Sequence, residues 1–303
     1  MQVLPTIRQY ESSDLALVLL LIDHVSGREG EPALSDHKSH RVSNTADVKE
    51  FVALIDEHIV GYLQAAWHRA STLEEDGHWA IEAVLGDSVV GTEVLSLLLD
   101  AVLTEIPEGK IRMWASTAEL VAAAEALRLQ KVRQLLRLRL ERSDFLPIAV
   151  FSKGAEIGTF VIDRDGADFL SVNNAAFAGH PENGALNHGD LAERIAQPWF
   201  DAEGFVVIRD CGKMIGFCWT KVHENGTGEI YIIAVHPEST GRGIGRRLLA
   251  AGLEHLFGKR AVPSVILYTE SDNYAALKMY ESVGFAIDRE MGQYELPRHQ
   301  PNG

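Results

Sequence analysis

Apolar positions recur at helical spacing in SSDLALVLLLIDHV (12–25), behind a Ser-Ser-Asp start that can cap a helix. They recur in the same way in DFLSVNNAAFAG (168–179), and the polar stretches that follow each, LSDHKSHRV (34–42) and HGDLAERIAQPWF (188–200), predict a second short helix. The period then changes. EGFVVIRD (203–210), KMIGFCWTKVH (213–223) and GEIYIIAVH (228–236) are rich in β-branched and aromatic residues and predict strands. GRRLLAAGLEHLFGK (245–259) returns to helix, SVILYTES (264–271) to strand and NYAALKMYESVG (273–284) to helix, before a last pair of strands. Antiparallel strands interrupted by helices predict a mixed α/β layer fold.

The order is written twice. IVGYLQAAWH (59–68) and MIGFCWTKVH (214–223) share the frame Gly-aromatic-x5-His. AIEAVLGDSVVG (80–91) parallels IYIIAVHPESTGRG (230–243), and both matches sit about 150 residues apart. A tandem duplication follows, with a first domain over 1–144, a second over 145–303 and the join near RSDFLPIAVFSKGAEIG (142–158). A length of 303 residues suits two cores of that size.

Charge narrows the function. With 43 acidic against 28 basic side chains the formal net charge is −15, which argues against a nucleic-acid binder or an anionic-membrane binder. Any anionic ligand must be held by a local site. Cys211 and Cys218 are the only cysteines and lack CxxC spacing, so we expect two thiols in a reducing cytoplasm rather than a disulfide. The N-terminus has no basic-then-apolar leader, and LALVLLLI (15–22) is too short to span a bilayer. The 12 histidines are scattered without ligand spacing, so we expect no metal site.

The local anion site stands out in VHPESTGRGIGRRLL (235–249), between a strand and a helix. Backbone N–H groups at a helix N-terminus are free, glycine lets them approach a ligand closely, and Arg242, Arg246 and Arg247 add charge. The loop is neither a P-loop nor a GxGxxG dinucleotide fingerprint. A tight strand-to-helix turn with solvated arginines is the plain alternative. The first-half counterpart, VLGDSVVGTEVLSLLL, has no arginine and carries Asp87 and Glu93, so turnover is expected in the second half, with the first as structural partner and substrate wall. Glu229 opens the strand before the loop. Period-two alternation puts it on the same face as Val235, where a carboxylate facing a cleft makes a good general base. Trp199, Phe200 and Trp219 are read as core packing, and His68 and His223 as structural members of the repeated frame.

Thr240, Gly241, Arg242, Gly243, Ile244 and Gly245 fit the Q/R-x-x-G-x-G/A acetyl-CoA loop of the GNAT acetyltransferases, with Thr in the first place. LYTESDNYAALKMYESVGF (267–285) resembles that superfamily's closing motif. VNNAAFAGHPENG, GFCWTKVH and GEIYIIAVHP further resemble the mycothiol synthase family of tandem GNAT enzymes, over about residues 170–285 and more loosely before. The resemblance implies two tandem GNAT domains, each a mixed, mostly antiparallel sheet flanked by helices. It implies acetyl-CoA as co-substrate, bound by Ile233, Ala234, Val235, residues 240–245, Arg246, Asn273 and Lys278. It implies Glu229 as base and Tyr280 as acid, an oxyanion met by backbone N–H groups near Ile233–Val235, and transfer to the cysteinyl amine of cysteinyl-glucosaminyl-inositol. That small-molecule substrate would meet Glu182, Lys221, Glu229, Tyr268 and a first-half acid, Asp36 before Glu29 or Glu31; a monomer is expected. Two other readings stand beside it: a tandem GNAT enzyme for an aminoglycoside or polyamine, against which Lys221 argues, and a non-catalytic CoA-binding protein.

Overall fold

The computed structural model describes residues 4–29, 33–34, 48–68, 77–86, 91–106, 108–145, 155–178, 180 and 186–297. The helix expected at 34–42, past Leu34, and the candidate residues Glu31, Asp36, Asp87 and Glu182 lie outside them. The chain divides into two compact units. One comprises Met1–Ala70, Asp76–Leu135 and Glu290–Gly303; the other comprises Ser71–Glu75 and Leu136–Arg289. One division falls inside strand β6 (Gln130–Glu141) and the last inside β12 (Ala286–Glu295), so the chain's C-terminal residues return to the first unit.

The first unit orders its strands β1 (Thr6–Gln9), β2 (Val48–Ile55), β3 (His58–His68), β4 (His78–Leu85), β5 (Lys110–Ala115) and then β12. All neighbours are antiparallel except β4 and β5, which are parallel. Helices Gly91–Glu105 and Ala118–Ala126 share one apolar core with this sheet, and helix Leu15–Glu29 shares another. The second unit repeats the plan: β7 (Glu156–Thr159), β8 (Phe205–Asp210), β9 (Lys213–Val222), β10 (Gly228–Val235), β11 (Ser264–Glu270) and β6. Here β10 and β11 are the parallel pair. Helices Ile244–Leu253 and Tyr274–Glu281 pack with one face of the sheet and helix Ile162–Ala176 with the other.

The repeated glycine has a packing cause. A Cβ on Gly216 would stand 2.9 Å from both the Ala234 carbonyl and Leu248 Cδ1; one on Gly61 would stand 2.7 Å from Val94 Cγ1. Leu248 and Val94 both belong to the helix after the loop, so in each unit that helix lies directly on the glycine. The aromatic residue next in the frame, Tyr62 or Phe217, is wholly buried in the core on the opposite face. Leu248, Leu249 and Leu253 are fully buried, each contributing about 1.5–3 kcal/mol.

One buried ion cluster ties the second unit together. Asp165 accepts from the Val161 amide at 2.8 Å, from Arg164 at 2.7 Å and from Arg209 at 2.6 Å. Burial pushes its carboxyl up, but these hydrogen bonds outweigh burial and hold it at about 2. A carboxyl depressed on folding stabilises above its unfolded value and loses that contribution as pH falls toward 2. Asp165→Asn should therefore cost about 2 kcal/mol at neutral pH. In urea melts the gap from the parent should narrow as pH drops toward 3; a gap constant from neutral pH down to there contradicts the assignment.

Among the described residues no helix is long and apolar enough to cross a membrane. None of their His, Cys, Asp and Glu side chains group in threes that could hold a metal ion.

Candidate active site

The glycine loop has the backbone its sequence demands. Gly241 (φ 75°) and Gly243 (φ 73°) both take the left-handed conformation, and Gly243 is the N-cap of helix Ile244–Leu253. A Cβ at either would meet no protein atom within 4 Å, so the space above the loop is open to a ligand. Gly245 lies close to its neighbours, 3.5 Å from Met279 Sδ and 3.7 Å from Val235 Cγ2 measured from its ideal Cβ. The helix N-terminus is thereby held at the end of β10. Thr240 Oγ1 donates to the Pro237 carbonyl at 2.8 Å, a turn-stabilising job that Gln or Arg would not do.

The three arginines divide their work. Arg242 pairs with Asp210 at 2.7 Å in an exposed contact, worth at most about 1 kcal/mol. Arg246 is exposed and donates to Ser282 Oγ at 3.1 Å. Arg247 turns away: its guanidinium donates to the Ala155 carbonyl at 2.7 Å and is half-buried there. Arg242 and Arg246 are therefore the two arginines of the loop that remain at the surface. Asn273 caps helix Tyr274–Glu281, accepting from the Ala276 amide at 3.3 Å, and Lys278 stands exposed further along that helix.

Beside the loop the sheet opens. β10 and β11 pair only at Gly228–Val265 and Glu229–Ile266. Beyond Glu229 the β11 side of β10 lacks ladder partners along Ile230–Val235, including Ile233, Ala234 and Val235. Alternate amides of a strand point to alternate sides, so this stretch offers free N–H and C=O groups to an extended ligand. In the first unit β4 and β5 stay paired for longer, from His78–Lys110 to Glu82–Trp114.

The ladder between β9 and β10 also differs from its counterpart. Its register shifts between Ile230 and Ile232, leaving Tyr231 as the extra residue of a bulge. The β3–β4 ladder runs without a shift from Gly61–Leu85 to His68–His78. Aligning Gly61 with Gly216 places Ala80, opposite Ala66, where the second unit has Glu229 opposite Lys221. The first unit has no carboxylate there. The bulge also corrects the sequence expectation about faces. Ile230, Ile233 and Val235 share the core of helix Ile244–Leu253, whereas Ile232 and Ala234 share the other. Strict alternation before the bulge puts Glu229 on the face of Ile232 and Ala234, opposite to Val235, because one inserted residue reverses the alternation.

On that face stand Lys221, His223 and Tyr268 as well. Glu229 is buried, at 7% exposure, and His223 Nε2 lies 2.7 Å from its Oε2. Among the described residues nothing bonds Oε1. Lys221 is buried, with Nζ 5.0 Å from the centre of the Trp199 ring and 5.9 Å from that of Tyr231, within cation–π range. Tyr268 lies two residues beyond Ile266 on β11 and is 39% exposed, along the opened edge. Trp219 is core, stacked on Phe205 at 4.4 Å, and Phe200 packs edge-on against it. Trp199 does both jobs, packing against Trp219 while supporting Lys221.

Tyr280 comes from the opposite face. It is buried in the core of helix Ile244–Leu253, edge-on to Phe285 at 6.0 Å. Burial, with a smaller push from Cys218, raises its phenol well above the ordinary value and keeps it protonated. Glu229 and Tyr280 thus stand on opposite faces of the sheet. Sequence reasoning missed His223 as a partner of Glu229. The signal was present: with Glu229 opposite Lys221, His223 is the diagonal neighbour on the same face.

Comparison with known proteins agrees with this geometry. The model of the acetyltransferase (GNAT) family matches residues 175–285. The chain is 34% identical to the mycothiol acetyltransferase of Streptomyces griseus over 293 residues, 92% of this chain and 91% of the other. The mycothiol acetyltransferase of Mycolicibacterium smegmatis is also 34% identical, over 90% of this chain and 92% of that one. That of Thermomonospora curvata reaches 43% over 188 residues, 60% of this chain and 62% of that one. Among solved structures, a GCN5-related N-acetyltransferase from Sphaerobacter thermophilus superposes with a TM-score of 0.71 at 16% identity, covering 96% of this chain and 95% of that one. A tandem GNAT protein from the clavulanic acid biosynthesis pathway gives 0.69 at 13% identity, covering 96% and 98%. The cradle, the parted strands and these relatives agree: the chain belongs to the mycothiol acetyltransferase family of tandem GNAT enzymes, acyl-CoA-dependent N-acetyltransferases.

Proposed function

We infer that the protein transfers the acetyl group of acetyl-CoA to the cysteinyl amine of cysteinyl-glucosaminyl-inositol, giving mycothiol and CoA. The observation that carries the reading is the parting of β10 from β11 at Glu229, with one oxygen of that buried carboxylate unengaged at the opening. The left-handed glycines and the open space above them fit a pyrophosphate, received by residues 240–245 with Arg242 and Arg246. The freed edge of Ile233–Val235 fits an amide-bearing arm added as a strand, with Asn273 and Lys278 on the neighbouring helix.

The chemistry then divides by face. Glu229 takes a proton from the ammonium through Oε1, directly or through one water, so that neutral nitrogen can attack. Backbone N–H groups near Ile233–Val235 meet the developing oxyanion. Tyr280 donates to the departing thiolate. Lys221 and Tyr268 stand on the amine side as contacts for a hydroxyl-rich substrate. Glu182 completes the proposed substrate set, outside the described residues. Turnover is assigned to the second unit, because the first has Ala80 in the place of the base and Glu93 in the first turn of the helix after its loop.

The deciding assay follows CoA release from acetyl-CoA with cysteinyl-glucosaminyl-inositol, its sugar-free fragment and its cysteine-free fragment, beside aminoglycosides and polyamines. The full substrate should give the highest kcat/KM. A higher value with an aminoglycoside or polyamine overturns the substrate assignment, and no turnover with any amine overturns the enzyme assignment.

The acid role has its own test. Tyr280→Phe keeps the ring packed against Phe285 but removes the donor. Loss of a hydrogen bond to a charged group is worth about 1.5 kcal/mol, so kcat should fall about tenfold with little change in either KM. Unchanged kcat excludes Tyr280 as the acid.

A further inference from the structure

We propose that His223 is the positioning residue of the catalytic carboxylate. It holds Glu229 so that Oε1, and not Oε2, takes the proton from the incoming amine. This rests on the assignment of Glu229 as the base.

The placement begins in the hairpin. β9 ends at Val222 and β10 begins at Gly228. The turn between them is fixed at three points. The His223 amide donates to the Thr227 carbonyl at 2.9 Å, the Gly226 amide to the His223 carbonyl at 2.9 Å, and the Thr227 amide to Asn225 Oδ1 at 2.9 Å. Gly226 takes the left-handed conformation (φ 83°) that closes the turn. The backbone of His223 is thereby clamped on the face that Glu229 shares, one diagonal step away. Its ring reaches across to bring Nε2 to 2.7 Å from Oε2, a charge-assisted contact.

An ionised carboxylate only accepts, so the neutral ring must present Nε2–H to it. A buried carboxylate can rotate and offer either oxygen to the amine. With Oε2 engaged, the plane of the group is set and Oε1 remains as the proton acceptor at the opening. General-base catalysis depends on that geometry, because an acceptor about 1 Å out of place can cost on the order of 10²-fold. His223 touches neither acetyl-CoA nor the reacting atoms in this scheme; it acts through Glu229.

Three variants of the full chain test the proposal, with kcat and both KM values measured on acetyl-CoA and cysteinyl-glucosaminyl-inositol. His223→Leu removes the donor and should lower kcat by about 10- to 100-fold, leaving KM for acetyl-CoA within about twofold of the parent. His223→Gln carries an N–H2 near the position of Nε2 and should recover most of the lost kcat. Glu229→Gln provides the reference. A general disturbance of the fold would raise KM for acetyl-CoA and lower Tm in both His223 variants alike; that pattern overturns the positioning role. So does a His223→Leu enzyme with the parent's kcat, or a His223→Gln enzyme as slow as His223→Leu. If Glu229→Gln itself keeps the parent's kcat, the base assignment falls and this inference with it. If Glu229→Gln is slow and His223→Leu is not, only this inference falls.

Discussion

Glu229→Gln is expected to lower kcat on the order of 10²-fold or more while leaving KM for acetyl-CoA close to that of the parent. The size follows from what the substitution puts in place of the proposed proton acceptor. The side chain keeps its shape, its burial and its neighbours Lys221 and His223. His223 Nε2–H still finds an acceptor in the amide oxygen, so the amide settles with its oxygen toward the histidine. Its N–H2 group then points where Oε1 stood. A donor faces the ammonium in place of an acceptor, and the proton has nowhere to go. Raising the pH should narrow the deficit, because a growing fraction of the amine then arrives neutral and needs no base. A kcat equal to the parent's from about pH 6 to 9 would show that the proton leaves by another route.

The parts of this site that were legible in the sequence are those set by local rules. The turn TGRGIG between strand and helix, the helix that follows it and the helix beginning at Asn273 each depend on a few adjacent residues and were read from them; the left-handed φ of Gly241 and Gly243 and the cap made by Asn273 are what the structure adds. The repeated Gly-aromatic frame was legible as a repeat because both glycines meet the same demand, a helix lying against a strand. The features that escaped depend on pairing between strands. The Tyr231 bulge reverses every face after it, and nothing in GEIYIIAV marks one residue as the inserted one. It leaves Glu229 on the face opposite Val235, which a period-two count cannot give. β6 was missed for a related reason. QKVRQLLRLRLE alternates apolar and basic residues, but the bases are fixed by partners distant in sequence, Arg137 by Asp288 and Arg139 by Ser264. The return of residues 290–303 to the first unit was equally invisible, since it is specified by pairing of β12 with β5.

Gly243→Asp should lower kcat/KM for acetyl-CoA on the order of 10²-fold, and the corresponding change in the first unit, Gly91→Asp, should leave it unaltered. Two costs combine at Gly243. Its φ of 73° is the left-handed conformation, which costs a non-glycine residue about 1–3 kcal/mol. A carboxylate there also stands in the open space at the N-terminus of helix Ile244–Leu253, where we place a phosphate of acetyl-CoA. Asn and Asp tolerate this conformation better than other side chains. Gly243→Asn therefore isolates the backbone cost: it has the same shape without the charge, and should fall between the parent and Gly243→Asp. Gly91 has neither demand. Its φ is not positive, an added Cβ would meet only Leu85 Cδ1 at 3.9 Å, and Glu93 already places a negative charge in the first turn of its helix. Tm measured beside the kinetics separates a bound-ligand effect from a folding defect, since Gly243 faces open space and its replacement leaves the buried core intact. A Gly243→Asp enzyme with the parent's kcat/KM would remove this loop from the cofactor site. Equal losses from Gly243→Asp and Gly91→Asp would mean that both units, and not the second alone, sustain turnover.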